Sequence, residues 1–178
     1  MIGETLGHIK KEAKMTDLQE KYLELVVVEQ KKFDEIAQIL QIDRKEVSEL
    51  WDKLKEPREK LSELRKIWKS KFKEVSNTSS FWEFKNWYER TERKCFYCGI
   101  TEEQISKLFK SGKVYTKRNR GRKLEIERLS PNEPYENLEN LVFSCYWCNN
   151  AKTDTFTSDE FKNIGKEIAK IWKKRLEE

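Results

Sequence analysis

The sequence predicts an α+β protein that is mostly α, with a bundle of short helices followed by a second domain holding two extended segments and further helices. Three observations predict this. Apolar residues recur at helical spacing up to about residue 75, residues 124–129 alternate apolar and charged as a strand does, and four cysteines fall as two tight pairs in the second half. Of the 178 residues, 37% are apolar and 39% charged. Any core is therefore small, and a cross-link would offset the shortage of burial. No apolar run approaches the length of a membrane span.

In the first half, Leu18, Tyr22, Leu25, Val26 and the run to Phe33 predict one helix. Ile36, Ala37, Ile39 and Leu40 predict a short second helix, and Val47, Leu50, Trp51 and Leu54 a third. Asp43, with Glu46 three residues on, has capping-box spacing and starts the third helix sharply. The segment from Phe33 to Trp51 resembles a helix-turn-helix of the type in sigma factors and small bacterial regulators. That resemblance implies a third helix presenting Arg44, Lys45 and Ser48 to the major groove of duplex DNA. Glu46, Glu49 and Asp52 on the same helix would repel phosphates, so the alternative is a protein-docking or dimerising bundle.

Pro57 marks where a fresh helix can begin, and Leu61, Leu64, Ile67, Trp68 and Phe72 share one face of a connecting helix over 58–75. The polar run 76–80 is a linker or the N-cap of the next helix. The expected organisation is residues 1–16 as a frayed terminus, with Met15 a conceivable start, 17–56 as the helix-turn-helix bundle, 57–79 as connecting helix and linker, and 80–178 as the cysteine-bearing domain. In that domain Phe81, Phe84, Trp87 and Tyr88 predict an aromatic helix facing the core. Thr101 caps a short helix, 124–129 and 138–144 are extended, a helix starts near Asn149, and an amphipathic helix runs over 158–176.

The cysteines are Cys95-Phe-Tyr-Cys98 and Cys145-Tyr-Trp-Cys148, with none left over. Each C-x₂-C pair places two thiolates across a tight turn, and two pairs supply the tetrahedral sulfur set of a structural zinc site. Two disulfides in a secreted domain are the alternative. An N-terminus without an apolar signal segment and a Lys/Glu-rich composition instead set the expectation of a cytoplasmic protein.

Charge is uneven, with 17 basic against 16 acidic residues up to residue 75 and 20 against 16 beyond it. Between the cysteine pairs, residues 110–123 carry seven basic residues, no acidic one, two glycines and Tyr115. This reads as a basic loop. Lys117, Arg118, Arg120, Arg122 and Lys123 suit nucleic-acid phosphates, and a solvated loop that aids solubility is the bland alternative.

The stretch from Leu124 through Glu127-Arg128, Tyr135, Asn140 and Cys145-Tyr-Trp-Cys148-Asn149 to Lys152 closely resembles the HNH endonucleases, whose fold is the ββα-metal unit. The resemblance covers residues 94–154. It implies a DNA endonuclease in which Glu127 takes the place of an acidic ligand to a catalytic Mg²⁺ or Mn²⁺, Asn149 that of the helix-opening ligand, and Asn140 that of the residue steadying the loop. Lys152 takes the place of a helix lysine facing a phosphate, and the four cysteines match the structural zinc of many members.

Arg128 departs from the pattern, since it stands where the family has its general-base histidine, and His8 lies outside the motif. A guanidinium cannot accept a proton near neutral pH, so Arg128 suits phosphate binding instead. Tyr135 is the candidate proton acceptor or nucleophile, or else a packing aromatic of the loop.

Two function classes follow. One is a metal-dependent endonuclease; the other is a DNA-binding zinc protein or regulator without hydrolysis. An RNA-binding protein fits less well, because the aromatic residues fall on helical faces. The C-terminal helix would serve a homodimer or pack within its own domain.

Overall fold

The computed structural model describes residues 15–72, 78–116 and 120–178. Residues 1–14, part of the polar run 76–80, Lys117 and Arg118 lie outside them. The chain divides into two compact units, one ending at Lys69 and one beginning at Ser70.

In the first unit, α1 (Asp17–Leu23) opens with a capping box between Thr16 and Gln19. It then widens into a π-helical turn, Glu24–Val28. The first helix was expected to run on to Phe33. It stops instead at Val28, where Gln30 adopts a left-handed backbone (φ 57°) and Lys31 N donates to Leu25 O. Phe33 therefore opens the next helix, α2 (Phe33–Leu40), with its ring 5.4 Å from Trp51. Gln41 turns the chain with φ 55°, and α3 (Arg44–Lys53) begins at the predicted Asp43–Glu46 capping box. α4 (Lys55–Lys71) starts two residues ahead of Pro57, which sits in the first turn, where its missing N–H costs nothing. Tyr22, Ile36, Val47, Leu61 and Trp68 form the core of this unit. The Arg58 guanidinium covers Trp51, 3.3 Å from the ring centroid.

The second unit is built on Phe143. From α5 (Thr78–Arg90), Trp87 and Tyr88 lie 5.2 and 5.3 Å from its ring, and Arg93 closes the box at 4.1 Å. The aromatic stripe is core, as its spacing predicts. Beyond α5 a knuckle carries Cys95 and Cys98, and α6 (Glu102–Lys110) follows from its Thr101 cap. β1 (Glu125–Arg128) and β2 (Leu141–Ser144) form an antiparallel pair, with Glu125 opposite Ser144 and Glu127 opposite Val142. Residues 138–140, expected to be extended, form a 3₁₀ turn, because Asn140 is drawn back onto the loop before it.

α7 (Tyr146–Lys152) begins three residues before the expected Asn149. The second cysteine pair is itself the helix's first turn, with Cys145 Sγ as the cap accepting from Cys148 N at 3.5 Å. α8 (Ser158–Glu177) lies against α7 through Trp172 and Trp147, 4.8 Å apart. It packs on the knuckle through Phe161, edge-on to Tyr97 at 5.0 Å, and through Gly165. A Cβ on Gly165 would stand 2.6 Å from Tyr97 O, so only glycine permits the approach.

Candidate metal centre and catalytic cleft

The two C-x₂-C turns converge. The four sulfurs of Cys95, Cys98, Cys145 and Cys148 are buried and lie within 4.8 Å of one another. A Zn–S bond of about 2.3 Å puts tetrahedral sulfurs about 3.8 Å apart. Cys98 Sγ and Cys145 Sγ are separated by 3.7 Å, so the set fits zinc. Gly99, at φ 73°, lets the first turn close, with Cys95 N donating to Ile100 O and Gly99 N to Cys95 O.

Sulfurs this close cannot all be anionic without a cation. Hydrogen bonding with Cys145 holds Cys95 well below an ordinary thiol, while Cys148 is pushed far above one by its contact with Cys145. Phe96 N donates to Phe143 O at 2.8 Å, tying the knuckle to β2. The cluster thus joins knuckle, hairpin and helix.

A cleft of about 150 Å³ opens on the hairpin, and Glu127, Arg128, Pro131, Tyr135, Asn149, Thr153 and Asp154 line it. Glu125 and Glu127, two apart on β1, share the strand face toward α7, where Asn149 and Lys152, three apart, lie on one helix face. The two pairs interlock. Asn149 Nδ2 donates to Glu125 Oε2 at 2.6 Å, and Lys152 Nζ donates to Glu127 Oε1 at 3.2 Å and to Arg128 O at 3.4 Å. Burial pushes the Glu127 carboxyl above its ordinary value, against the hydrogen bond and charge of Lys152.

Lys152 is therefore not where its expected role would put it. Wholly buried beneath the hairpin, it cannot face a phosphate, because the strand carboxylate and a backbone carbonyl enclose its ammonium. Arg128 Nη1 donates to Glu133 O at 3.0 Å, and its guanidinium lies 4.8 Å from the Tyr135 ring centroid. Tyr135 is half-buried, packs at 6.5 Å from Phe72, and accepts a hydrogen bond from Lys71 Nζ at 3.2 Å.

Asn140 is buried outside the cleft. Its Oδ1 accepts from Ser130 N at 2.8 Å and its Nδ2 donates to Ser130 O at 2.9 Å, clamping the loop that follows β1. Thr153, just past α7, has φ 52° and ψ −154°, a backbone that costs a β-branched residue on the order of 1 to 3 kcal/mol. Its hydroxyl holds the bend by donating to Lys152 O at 2.7 Å and pairing with Thr155 Oγ1 at 3.1 Å.

Glu125, Lys71, Thr153 and Asp154 were missed from the sequence. Glu125 had a signal, because strand alternation puts it on the face of Glu127. Lys71 had none, standing 64 residues from Tyr135.

The other predicted contact residues are spread over both units. Arg44 pairs with Asp34, Lys45 Nζ lies 3.8 Å from Glu49, and Ser48 is exposed. Such exposed ion pairs contribute little and would yield to a phosphate. Arg120, Arg122 and Lys123 are exposed, with Arg122 4.3 Å from the Phe109 ring centroid. Among the described residues, no helix is long and apolar enough to cross a membrane.

No family model matches the chain, and no curated protein does. A solved structure similar to it is that of PacI, a rare-cutting HNH restriction endonuclease that perturbs its DNA. The TM-score is 0.50 at 26% sequence identity, covering 63% of this chain and 80% of that one. The resemblance read from the cysteine pairs and the segment between them thus extends to the folded chain, whose fold is similar to that of an HNH endonuclease.

Proposed function

We propose that the protein is a metal-dependent endonuclease that hydrolyses phosphodiester bonds of duplex DNA. The observation that supports it best is the cleft, where Glu127, Arg128, Tyr135 and Asn149 meet beside the cysteine cluster on a hairpin-and-helix unit. Glu127 and Asn149 would hold one Mg²⁺ or Mn²⁺. The donor set fits a hard cation, since the Asn149 hydrogen bond to Glu125 commits the amide nitrogen and leaves Oδ1 for an ion. Such an ion supplies positive charge to the phosphate undergoing displacement.

The protein's own groups do the rest. Lys152 fixes the Glu127 carboxylate, and Asn140 fixes the loop over the cleft. Arg128 binds the phosphate and Tyr135 offers its hydroxyl proton to it, both steadied by Glu133 and Lys71. Duplex contacts come from Arg44, Lys45 and Ser48 in a helix-turn-helix and from the loop residues Lys117, Arg118, Arg120, Arg122 and Lys123. Ile164 and Ile171, exposed on α8, suit a homodimer that would be checked by sedimentation.

Nicking of supercoiled plasmid with Mg²⁺ or Mn²⁺ tests this reading. Cleavage should be lost in Glu127→Ala and Asn149→Ala. No cleavage with either ion, or cleavage that both variants retain, would sink it. A second reading has an observation of its own, because Lys152 already neutralises Glu127 and a chain whose carboxylate is so satisfied could bind DNA without cutting it. That reading expects salt-sensitive binding that Glu127→Ala leaves unchanged.

A further inference from the structure

Arg128 leaves the cleft without the imidazole that would take a proton from water, so the remaining basic atoms decide where that proton goes. The Glu127 carboxylate is bound by Lys152. The Tyr135 oxygen already accepts from the Lys71 ammonium, and the Asn149 amide and Thr153 hydroxyl have no basic character. Asp154 is different. It lines the same cleft, it is exposed, and among the described residues its carboxylate has no hydrogen bond or ion pair. The bend at Thr153 places it there, since the chain leaves buried Lys152 through a left-handed residue and at once lines the cleft.

We propose that Asp154 is the general base of this site, a catalytic residue that the family pattern does not supply; the assignment rests on the endonuclease reading. In the step, the oxygen of a water bonds to phosphorus and one bridging P–O bond breaks. The bond's electron pair stays with the departing sugar oxygen, which takes a proton from solvent. The water's own proton passes to an Asp154 carboxylate oxygen. Arg128, which lines the same cleft, compensates the charge of the attacked phosphate.

The test uses the full zinc-loaded chain, supercoiled plasmid and Mn²⁺ or Mg²⁺. Asp154→Asn should cut on the order of 10² to 10⁴ times more slowly. Its melting temperature, its DNA affinity by fluorescence anisotropy and the metal concentration giving half-maximal rate should stay at wild-type values, and Asp154→Glu should keep part of the rate. Asp154→Ser serves as a second variant should asparagine disturb the turn.

An asparagine variant cutting within about threefold of wild type, a margin far below the loss of a general base, overturns the assignment. So does a loss that more metal restores, which would make Asp154 a ligand instead. In both cases the wild type still cuts and the endonuclease reading stands. A wild type that does not cut removes that reading and this one together.

Discussion

The ammonium of Lys152 lies 3.2 Å from the carboxylate of Glu127, with the lysine side chain wholly buried and the glutamate 12% exposed. Among the described residues, no other ion pair encloses its cation so fully. Taking two charges out of water is costly, so the pair contributes little net stability while each half depends strongly on the other. Its consequence is positional, because Glu127 is held on the cleft wall by a group that itself cannot move.

Removing one half should therefore cost more than removing both. Lys152→Met is expected to destabilise the second unit by about 3 to 5 kcal/mol, the usual cost of an unpaired buried charge. Combining it with Glu127→Gln should restore much of that. Urea denaturation of the two single variants and the double variant reads the coupling; additive losses would mean that the pair does not interact.

Zinc should be needed for the second unit to fold. Four buried sulfurs joining knuckle, β2 and α7 leave little to hold these elements together once the ion is gone. Zinc binding contributes roughly 10 to 16 kcal/mol in small zinc peptides, as much as the stability of a domain. Metal analysis should find one zinc per chain, and a strong chelator or Cys145→Ser should abolish the cooperative unfolding transition. Retention of that transition in metal-free protein would contradict the staple.

Gly165→Ala should destabilise, although alanine is ordinarily the better helix former. The added Cβ would meet Tyr97 O at 2.6 Å and force α8 away from the knuckle. Overpacking of this kind costs about 1 to 3 kcal/mol, which outweighs the roughly 0.5 to 1 kcal/mol gained in helix propensity. A thermal shift upward would show that α8 does not pack as described.

Tyr97 gives a pH dependence with a defined sign. Burial pushes its hydroxyl up to about 12, with the neighbouring charge of Glu127 acting in the same direction. Unfolded tyrosine titrates near about 10, so the folded chain holds this proton more tightly. The resulting stability is fully present below the unfolded value and is lost as pH rises toward the folded one. Two pH units correspond to about 3 kcal/mol at most. Wild type should lose that much more stability than Tyr97→Phe across this window, and parallel curves would show the phenol to be accessible.

Much of the fold was legible because its signals are local. The Asp43–Glu46 and Thr101–Gln104 capping boxes, the aromatic face of α5 and the alternation around Ile126 each lie within one element, where backbone geometry alone sets which residues share a face. The errors fell where a distant contact overrode a local pattern. Phe33 falls seven residues after Val26, at helical spacing, yet its ring pairs with Trp51 and it opens a new helix. Asn140 sits in a strand-like run, yet both ends of its side chain bind Ser130 and curl the backbone into a turn.

The cleft divides in the same way. By itself the sequence determined that two cysteine pairs could share one metal ion, since spacing and residue chemistry suffice for that, while its resemblance to the HNH endonucleases made Glu127 and Asn149 candidate ligands. Only the tertiary structure decided that Lys152 lies under the strand, that Glu125 orients Asn149, that Lys71 reaches Tyr135, and that Asp154 lines the cleft with its carboxylate unpaired among the described residues. The physical reason is that which charges are buried, and against what, depends on contacts between elements distant in the chain. No periodicity within one segment encodes them.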